Sequence, residues 1–427
     1  MNEFIHSVSL NVSKCKGCTA CLRHCPTEAI RIKDGHAVID SERCIDCGEC
    51  IRVCPHKAKK AVCSPFDKIN DFKYKIALPA PALYGQFNNL EDVDYCLQGL
   101  LDIGFDDVYE VSYAAEFVSA YTRMYLKGEN IKKPVISSAC PVIVRLISLR
   151  YPSLCDNIMP IIPPMELAAK FARKKAKREH PELEDKDIGV FFISPCPAKS
   201  SYVVNNELED EQNVDVVLAM NDIYFRLLPA MKNAELSLPI ANSGRVGVGW
   251  AVSGGEASAL LNDKYLAADG LENVIQILEE IDNGKMPDLE FVELNACNSG
   301  CVGGILTVEN PYIAKAKMRS LRKYLPVSLA RPEKQIPEDV FLKKLNNYKP
   351  IQQFSDNMQE SMRLMNEIQM VCENLPEIDC GSCGAPTCLA FAEDVVLRGV
   401  DINNCIINMK DYLLKKLEEK KDENNDG

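Results

Sequence analysis

Cysteine spacing constrains this chain more than any other feature of its sequence. The chain has 20 cysteines in 427 residues, and near its N-terminus the pattern C-x2-C-x2-C-x3-C-P occurs twice. The two copies contain these cysteines: Cys15, Cys18, Cys21, Cys25, Cys44, Cys47, Cys50 and Cys54. In this spacing three thiolates bind one 4Fe–4S cube, and the fourth, before proline, binds the other cube. We therefore expect Cys54 to complete the first cube and Cys25 the second.

A zinc knuckle is the alternative interpretation of this repeat. Zinc needs only four ligands per site and rarely uses this spacing with both prolines, so electron transfer through iron–sulfur clusters is favoured. The pattern resembles that of bacterial two-cluster ferredoxins. The resemblance implies an α+β ferredoxin-like domain with two 4Fe–4S clusters over residues 1–63.

Composition indicates the cellular compartment of the protein and the class of partner that it binds. So many cysteines without a basic-then-apolar leader indicate reduced, metal-bound thiols in the cytoplasm. No apolar run approaches the ~20 residues of a membrane span, so no membrane association is expected. The net charge is −12, and each oxidised cube adds roughly −2. An acidic protein of this kind binds nucleic acid poorly, which leaves small molecules and other proteins as partners.

Residues 64–335 alternate β-rich and helical stretches, which predicts an α/β domain. The predicted strands are 74–78, 108–111, 134–137, 188–193 and 289–294, and the predicted helices include 163–176 and 272–283.

Four cysteines of this central domain form a pattern of their own. Cys140, Cys196 and Cys297 each follow a β-rich run directly, and Cys301 lies in a glycine-rich loop. The carboxyl ends of strands in open α/β sheets converge on the ligand crevice, so these thiols can meet and hold a buried cluster. Four unrelated core cysteines are the alternative, which does not explain their positions at strand ends.

Three segments around these cysteines resemble the H-cluster signatures of FeFe-hydrogenases: Ser137-Ser138-Ala139-Cys140-Pro141, Ser194-Pro195-Cys196-Pro197-Ala198-Lys199, and Glu293-Leu294-Asn295-Ala296-Cys297 with Cys301-Val302-Gly303-Gly304. Supporting matches are Ala80-Pro81-Ala82, Gly104-Phe105-Asp106-Asp107-Val108 and Ser253-Gly254-Gly255. With the ferredoxin-like part, the resemblance covers roughly residues 1–335, and such a spaced set is specific.

The resemblance implies an H-cluster and its chemistry. The four central cysteines would hold a 4Fe–4S cube, and Cys301 would bridge to a two-iron subcluster with CO, CN⁻ and a bridging dithiolate. Lys199 would donate a hydrogen bond to a cyanide, and the remaining contacts to the subcluster would come from Ala80, Pro81, Pro195 and Ser253. The substrates would be H2 and protons, and separate maturation proteins would install the two-iron subcluster.

Several positions depart from the family pattern. Ala139, a catalytic position, stands where efficient members carry a proton-relaying cysteine, and alanine cannot exchange a proton. Ser194 and Asn295 replace methionines of the motifs, and Tyr202 and Tyr121 replace glutamates. The loss of a relay member slows proton-limited turnover by orders of magnitude, so slow turnover is expected. In these departures the chain resembles the sensory FeFe-hydrogenases.

The last cysteine group is Cys380, Cys383, Cys388 and Cys405. It resembles the small 4Fe–4S domain of corrinoid iron–sulfur proteins, which also follows the catalytic domain of sensory hydrogenases; zinc is again the alternative. We expect a small helical cluster domain at 377–408, a helical linker at 336–376 and a charged tail at 409–427 that begins as a helix and ends disordered. An apolar stripe from Phe354 to Cys372 is expected to pack on its own domain, with dimerisation or signalling as the weaker option.

The sequence therefore predicts a cytoplasmic, sensory-type FeFe-hydrogenase of low activity, with an H-cluster and three further 4Fe–4S clusters. Its redox state would reach an unidentified protein partner in trans, and a homodimer is one option. The alternative is a hydrogenase-like iron–sulfur assembly or electron-transfer protein without H2 activity; a fast hydrogenase is opposed by Ala139. The cysteines without ligand spacing are expected to be core thiols: Cys63, Cys96, Cys155 and Cys372.

Overall fold

The computed structural model of the chain describes residues 5–205, 207, 212–236, 239–342 and 357–425. Within these residues the strands are β1 (Val8–Leu10), β2 (Ile30–Lys33), β3 (His36–Ile39), β4 (Lys59–Ala61), β5 (Tyr74–Pro79), β6 (Asp107–Val108), β7 (Val135–Ile136), β8 (Ile188–Ser194), β9 (Val216–Ala219), β10 (Tyr265–Asp269) and β11 (Phe291–Asn295). The α-helices are α1 (Ala20–Arg23), α2 (Glu49–Arg52), α3 (Asp94–Asp102), α4 (Val111–Tyr125), α5 (Pro141–Arg150), α6 (Pro164–Glu179), α7 (Ala198–Val204), α8 (Met220–Asn233), α9 (Arg245–Gly249), α10 (Gly255–Ser258), α11 (Leu271–Asp282), α12 (Pro311–Arg322), α13 (Met358–Glu373), α14 (Cys388–Arg398) and α15 (Ile406–Asn425).

The N-terminal unit has the predicted α+β form. Strand β1 pairs antiparallel with β4, and β2 pairs antiparallel with β3. The short helices α1 and α2 follow the cysteine loops of the two sequence repeats. Gly48, at the start of α2, has φ 74, and a Cβ there would meet the Ile305 side chain at 2.4 Å. Glycine at this position therefore permits both the turn and the close contact with the central domain.

The central domain is built on two parallel sheets rather than one. One sheet has the order β6-β5-β8-β9, and the other has the order β10-β11-β7. All seven residues of β8 are buried, as expected for a parallel strand covered on both faces. The predicted strands at 74–78, 134–137, 188–193 and 289–294 are confirmed within a few residues, as are both predicted helices.

Two local predictions in this domain were incomplete. The predicted strand 108–111 is wrong after Val108, because Val111 already begins α4. Strand β9 and strand β10 were not predicted at all. Strand β10 reads Tyr-Leu-Ala-Ala-Asp at the edge of its sheet, and this composition has weak β propensity. Strand β10 therefore forms because it pairs with β11, and its own residues do not specify a strand.

The C-terminal unit is helical, and α13 belongs to its core. Helix α13 packs against α14, and Ile368 is buried in one cluster with Phe391 and Cys405. We therefore propose that the described part of the predicted linker joins the C-terminal domain. Helix α15 continues to Asn425, further than predicted for the charged tail.

The apolar stripe of α13 packs on its own domain only in part. Met358, Met362 and Met365 are 78%, 60% and 57% exposed, so for these methionines the prediction was wrong. Only the C-terminal end of the stripe, at Ile368 and the half-buried Cys372, packs against the domain. Phe354 lies outside the described residues.

The C-terminal unit docks on the ferredoxin-like unit. Arg31 Nε and Asp394 Oδ2 form a buried salt bridge of 2.6 Å, and the Ile32 N–H donates to the Gly384 carbonyl at 2.8 Å. Gly384 has φ 89, and a Cβ there would collide with the Ile32 carbonyl oxygen at 2.3 Å. No helix in the described part of the chain is both long enough and apolar enough to cross a bilayer.

Candidate active site

The four cysteines of the central domain line one buried cavity. Cys140 follows β7, Cys297 follows β11, and Cys196 follows β8 of the other sheet. Cys301 reaches the same cavity from the loop after Cys297. The carboxyl ends of strands from both parallel sheets therefore converge here, as the sequence predicted for strands in general. The space between these walls, counted with its opening to solvent, is about 990 Å³, and we call it the central cavity.

Glycines bring the loops of the central cavity together. Gly304 lies so close to Pro195 that a Cβ on Gly304 would meet the Pro195 carbonyl oxygen at 2.2 Å. Gly300 has φ 85, and a Cβ on it would meet the Ser253 nitrogen at 2.5 Å. Any larger residue at these positions would push the Cys301 loop away from its neighbours.

Proline starts the helix that follows one of these strands. Pro141 is the first residue of α5, where its missing N–H costs no helical hydrogen bond. Cys140 therefore sits at a fixed strand-to-helix junction.

Lys199 places a buried positive charge beside the thiols. Its side chain lines the central cavity, and the residue is only 9% exposed. Its Nζ donates to the Ala139 carbonyl at 3.3 Å and to Met165 Sδ at 3.7 Å, both weak partners for an ammonium. Among the described residues Lys199 forms no salt bridge. Burial raises the pKa of the nearby Glu166 to about 7, and the Lys199 charge counteracts that shift. Glu166 and the thiolates of a bound cube can therefore both balance the ammonium, and the site suits an anionic ligand.

The thiols of the central cavity have raised pKa values. Burial raises the pKa of Cys301 to about 12 and that of Cys297 well above its ordinary value, and the neighbouring cysteines reinforce both shifts. Free thiols here would stay protonated at neutral pH. A bound metal removes those protons because it stabilises the thiolate directly. Four sulfur donors around one cavity match the chemistry of an iron–sulfur cube.

Three smaller cavities each have four cysteines in their walls. The first of them, of about 320 Å³, has Cys15, Cys18, Cys21 and Cys54. The second, of about 350 Å³, has Cys25, Cys44, Cys47 and Cys50. The third, of about 310 Å³, has Cys380, Cys383, Cys388 and Cys405.

These groupings are the ones expected from the spacing, including the exchange of Cys25 and Cys54 between the two repeats. The central cavity is about three times as large as each smaller one. It therefore has room for more than a single cube. The cysteines without ligand spacing line none of these four cavities: Cys63, Cys96, Cys155 and Cys372.

The cavities are neighbours in the molecule, and Cys15 and Cys21 of the first small cavity pack in one cluster with Cys25 and Cys50 of the second. Cys47 lines both the second small cavity and the central cavity. Ile32 lines the first small cavity and bonds to Gly384 of the C-terminal unit, while Arg23 donates to the Cys380 carbonyl at 2.7 Å. The C-terminal cysteines thus lie next to the first ferredoxin-like site.

A pair of buried glutamates borders the central cavity, and the sequence analysis missed it. Ser137 Oγ donates to Glu256 Oε2 at 2.6 Å and accepts from the Ala139 N–H at 3.2 Å. Glu256 Oε1 is buried without a hydrogen-bond partner among the described residues. Burial, reinforced by the charge of Glu293, raises the pKa of Glu256 well above its ordinary value.

Glu293 is better placed to carry the negative charge of the pair. It accepts from the backbone N–H groups of Gly254 and Ala257 and from Asn295 Nδ2, at 3.0, 2.8 and 2.8 Å. Of the two, Glu256 is therefore the one that favours its protonated form, and Ser137 Oγ connects it to the Ala139 N–H. A signal for Glu256 is present in the sequence, because Glu256 directly follows Ser253-Gly254-Gly255, a segment that matches the hydrogenase pattern.

Comparison with known proteins agrees with this geometry. A profile for the iron-only hydrogenase large subunit, C-terminal domain, matches residues 73–265 and 256–305, which together exceed half of the 427 residues. The chain belongs to the iron-only hydrogenase large-subunit family. Profiles for a 4Fe-4S dicluster domain and for an Fe-S cluster domain match residues 14–58 and 375–407.

Two curated hydrogenases are similar in sequence. The periplasmic [Fe] hydrogenase large subunit of Nitratidesulfovibrio vulgaris is 26% identical over 70% of this chain and 86% of that protein. The NADP-reducing hydrogenase subunit HndD of Solidesulfovibrio fructosivorans is 22% identical over 47% of this chain and 43% of that protein. The [FeFe]-hydrogenase HydA1 of Chlamydomonas reinhardtii, in a variant form, aligns with a TM-score of 0.46 at 17% identity over 59% of this chain and 84% of that structure.

The residues that depart from the hydrogenase pattern lie in different places. Ala139 and Asn295 line the central cavity. Ser194 is fully buried and bonds to the Cys196 backbone, its Oγ donating to the carbonyl at 2.8 Å and accepting from the N–H at 3.2 Å. This pairing fixes the Cys196 loop in a way that a methionine cannot. Tyr202 is buried in α7.

Two further predicted positions do not lie on the wall of the central cavity. Tyr121 lines a separate cleft between α4 and α6, which we call the outer cleft. Its walls include Tyr113, Phe117 and Tyr121 of α4 and Phe171, Lys174 and Arg178 of α6. Ser253, predicted to contact the cofactor, lies behind Gly300 and donates its N–H to the Ser299 carbonyl at 3.1 Å. Ala80, Pro81 and Pro195 do line the central cavity.

Proposed function

We propose that this protein interconverts H2 with protons and electrons at an H-cluster in the central cavity. Cys140, Cys196, Cys297 and Cys301 would hold the cluster, and Lys199 would bind an anionic ligand of its two-iron part. When bound, such a cluster supplies the redox chemistry of H2 cleavage. The observation that carries the proposal is the central cavity, which has four thiols and the buried Lys199 ammonium in its wall and is about three times as large as the cavities of the other three cysteine groups, so that an anionic ligand beyond a single cube fits beside Lys199.

The remaining wall of the central cavity supports this assignment. Ala80, Pro81 and Pro195 bring backbone groups and apolar surface to the cavity without adding a competing charge. Phe192 lies under the Lys199 ammonium at 5.6 Å from the ring centroid. These groups exclude water, so a hydrogen bond from Lys199 to an anion would be stronger than in solvent.

We further propose that turnover is slow and that the protein is sensory. Ala139 offers no exchangeable proton at the position nearest Lys199, and Tyr121 lies in the outer cleft, away from the central cavity. Ser137 and Glu256 offer a different route for protons, because a hydroxyl and a protonated carboxyl lie one hydrogen bond apart beside Ala139. A short chain of this kind moves protons, but it lacks the thiol closest to the reacting centre.

Electrons would leave through the ferredoxin-like unit toward the C-terminal cysteines. Cys47 borders the central cavity, and the C-terminal unit is docked at the far end of the same series of cavities. The redox state of the last cluster would be transmitted to a protein partner. The exposed methionines of α13 lie on the same unit. A cytoplasmic location stays a prediction, since the relative from Nitratidesulfovibrio vulgaris is named as periplasmic.

An infrared spectrum of the anaerobically matured protein tests the proposal. We expect sharp CO and CN⁻ bands that shift when H2 is added. The Lys199→Met variant should shift the CN⁻ bands or lower their intensity, because the donor to the anion is lost. The matched control is Lys323→Met at the end of α12, which should leave the spectrum unchanged. Full loading with four-iron clusters but no such bands would instead favour the assembly or electron-transfer alternative.

A further inference from the structure

The outer cleft has an aromatic wall that the hydrogenase chemistry does not use. Tyr113, Phe117 and Tyr121 recur every four residues on α4, so they share one face of the helix. Phe171 of α6 meets Phe117 edge to face with ring centroids 5.2 Å apart, and Tyr113 meets Phe117 at 5.3 Å. Except for Tyr121, these rings are only partly buried. The wall therefore presents ring surface on which a planar aromatic group can stack.

Basic side chains face this aromatic wall. Of the charged residues that line the outer cleft, five are basic and two are acidic. Lys170 and Lys174 of α6 share the single carboxylate of Asp339, at 2.6 and 3.2 Å. Arg178 is largely exposed, and within the described part of the chain its ion pair is with the adjacent Glu179 at 3.4 Å. Among the described residues Arg331 makes no ion pair. Lys175 is paired with Asp107 at 2.8 Å. The positive charge that ion pairs among the described residues leave unmatched therefore comes from Arg331 and from the two lysines that share Asp339, in a protein whose net charge is −12.

The dimensions of the outer cleft match a small molecule. It opens to solvent and has a volume of about 510 Å³, within the range typical of small-molecule sites. A planar ring would use the aromatic wall, and phosphate groups would use the guanidinium groups of Arg178 and Arg331, which bind phosphate oxygens in pairs. An extended nucleic acid fits less well, because the acidic remainder of the protein would repel its backbone.

We propose that the outer cleft binds a nucleoside phosphate, with the base on the Tyr113–Phe117 surface and the phosphates on Arg178 and Arg331. The two helices that form the cleft also reach the central cavity, through Ala115 of α4 and Met165 of α6. A ligand in the outer cleft is therefore placed to bias the geometry of the central cavity. The site itself requires no H-cluster and goes beyond the H2 chemistry proposed above.

Calorimetric titration of the full chain, with its iron–sulfur clusters in place, tests the proposal. ATP and GTP are the first probes, and FMN distinguishes a flavin phosphate from a purine nucleotide as the source of the same chemistry. Adenosine and pyrophosphate each present half of the ligand, and we expect both to bind at least roughly tenfold more weakly than ATP or GTP. Absence of binding to every nucleotide at millimolar concentration overturns the proposal. So does equal binding of pyrophosphate, or tighter binding of a short single-stranded oligonucleotide.

Variants with matched controls on α12 locate the site. Arg331→Glu and Tyr113→Leu should each weaken nucleotide binding by roughly tenfold or more, because they remove a phosphate donor and a stacking surface. Arg319→Glu and Tyr312→Leu make the same changes at exposed positions of α12 and should leave the affinity unchanged. If both members of a pair behave alike, the cleft is not the site. This binding readout does not depend on H2 chemistry, so the two proposals can fail separately.

Discussion

Residue 139 connects the buried cation and the proton route of this protein. The Ala139 carbonyl accepts from Lys199, and its N–H donates to Ser137. The side chain that would have to relay a proton is a methyl group. If residue 139 were a cysteine, its side chain would extend from a backbone whose carbonyl and N–H are both fixed by these hydrogen bonds.

We expect Ala139→Cys alone to raise H2 turnover only modestly. The new thiol would restore one relay position, but Tyr121 still lies in the outer cleft and Tyr202 still replaces a glutamate. The measurement is H2 oxidation with an artificial electron acceptor, normalised to the intensity of the CN⁻ bands. Ser148→Cys, a buried serine of α5, controls for an added thiol. A rise to the rates of fast hydrogenases would contradict our interpretation of the two tyrosines.

Glu256 supports a sharper prediction about pH. Burial and the neighbouring Glu293 charge raise its pKa well above the ordinary value, so it keeps its proton to a higher pH than an ordinary glutamate and loses it as the pH rises through that raised value. Proton reduction should fall over the same range. Glu256→Gln should lower the rate of proton reduction by roughly a hundredfold and abolish this part of the pH profile.

The control variant, Glu110→Gln, changes another buried glutamate whose pKa is also raised. It should leave the profile intact, because Glu110 does not line the central cavity. An unaltered profile in Glu256→Gln would exclude the glutamate as a proton carrier.

At the scale of elements, sequence predicted the site better than it predicted the sheets. The cysteines that follow β7, β8 and β11 could be predicted to lie together because strand ends converge. The exchange of Cys25 and Cys54 between the two ferredoxin-like sites followed from the ligand spacing. The division into two sheets was not predictable, since a strand pattern does not identify its neighbours. Glu256 was missed for a similar reason. It lies on the four-residue helix α10, and only tertiary packing brings it to Ser137.

The docking of α14 on β2 yields a prediction at this scale. Arg31 and Asp394 are both buried and meet at 2.6 Å. Removing Asp394 leaves the buried Arg31 without a carboxylate partner among the described residues, whereas Asp394 also pairs with Arg398 at 2.9 Å. Asp394→Ala should reduce the free energy of unfolding of the C-terminal unit by about 3 kcal/mol. Urea unfolding, followed through the cluster absorbance under anaerobic conditions, measures this loss.

The control is the solvent-exposed pair of Arg363 and Glu360 on α13. Arg363→Ala should produce no measurable change, because exposed ion pairs contribute little. Equal destabilisation by both variants would mean that the C-terminal unit is not held through Arg31. The double variant Arg31→Met with Asp394→Leu should recover much of the lost stability, since it removes both charges together.

The whole molecule has a predicted iron content. Four groups of four cysteines imply four cubes, and the two-iron part brings the total to about 18 iron atoms per chain. Cys405→Ala should reduce the total to about 14, because the C-terminal cube loses a ligand. Cys372→Ala changes a cysteine of the same unit that does not line the cavity, and it should retain about 18. Quantitative metal analysis of both variants decides the assignment, and equal losses would contradict it.

The order of the cavities predicts the path of electrons through the whole molecule. If H2 is oxidised in the central cavity, electrons pass Cys47 and both ferredoxin-like sites before they reach Cys380 and its neighbours. Under H2, paramagnetic resonance should therefore detect a reduced C-terminal cluster in the wild-type protein. In Asp394→Ala, which weakens the docking, H2 should reduce that cluster more slowly, while reduction by dithionite, which needs no internal path, should keep its wild-type rate. An unchanged rate with H2 would show that the Arg31–Asp394 contact does not hold the electron path together.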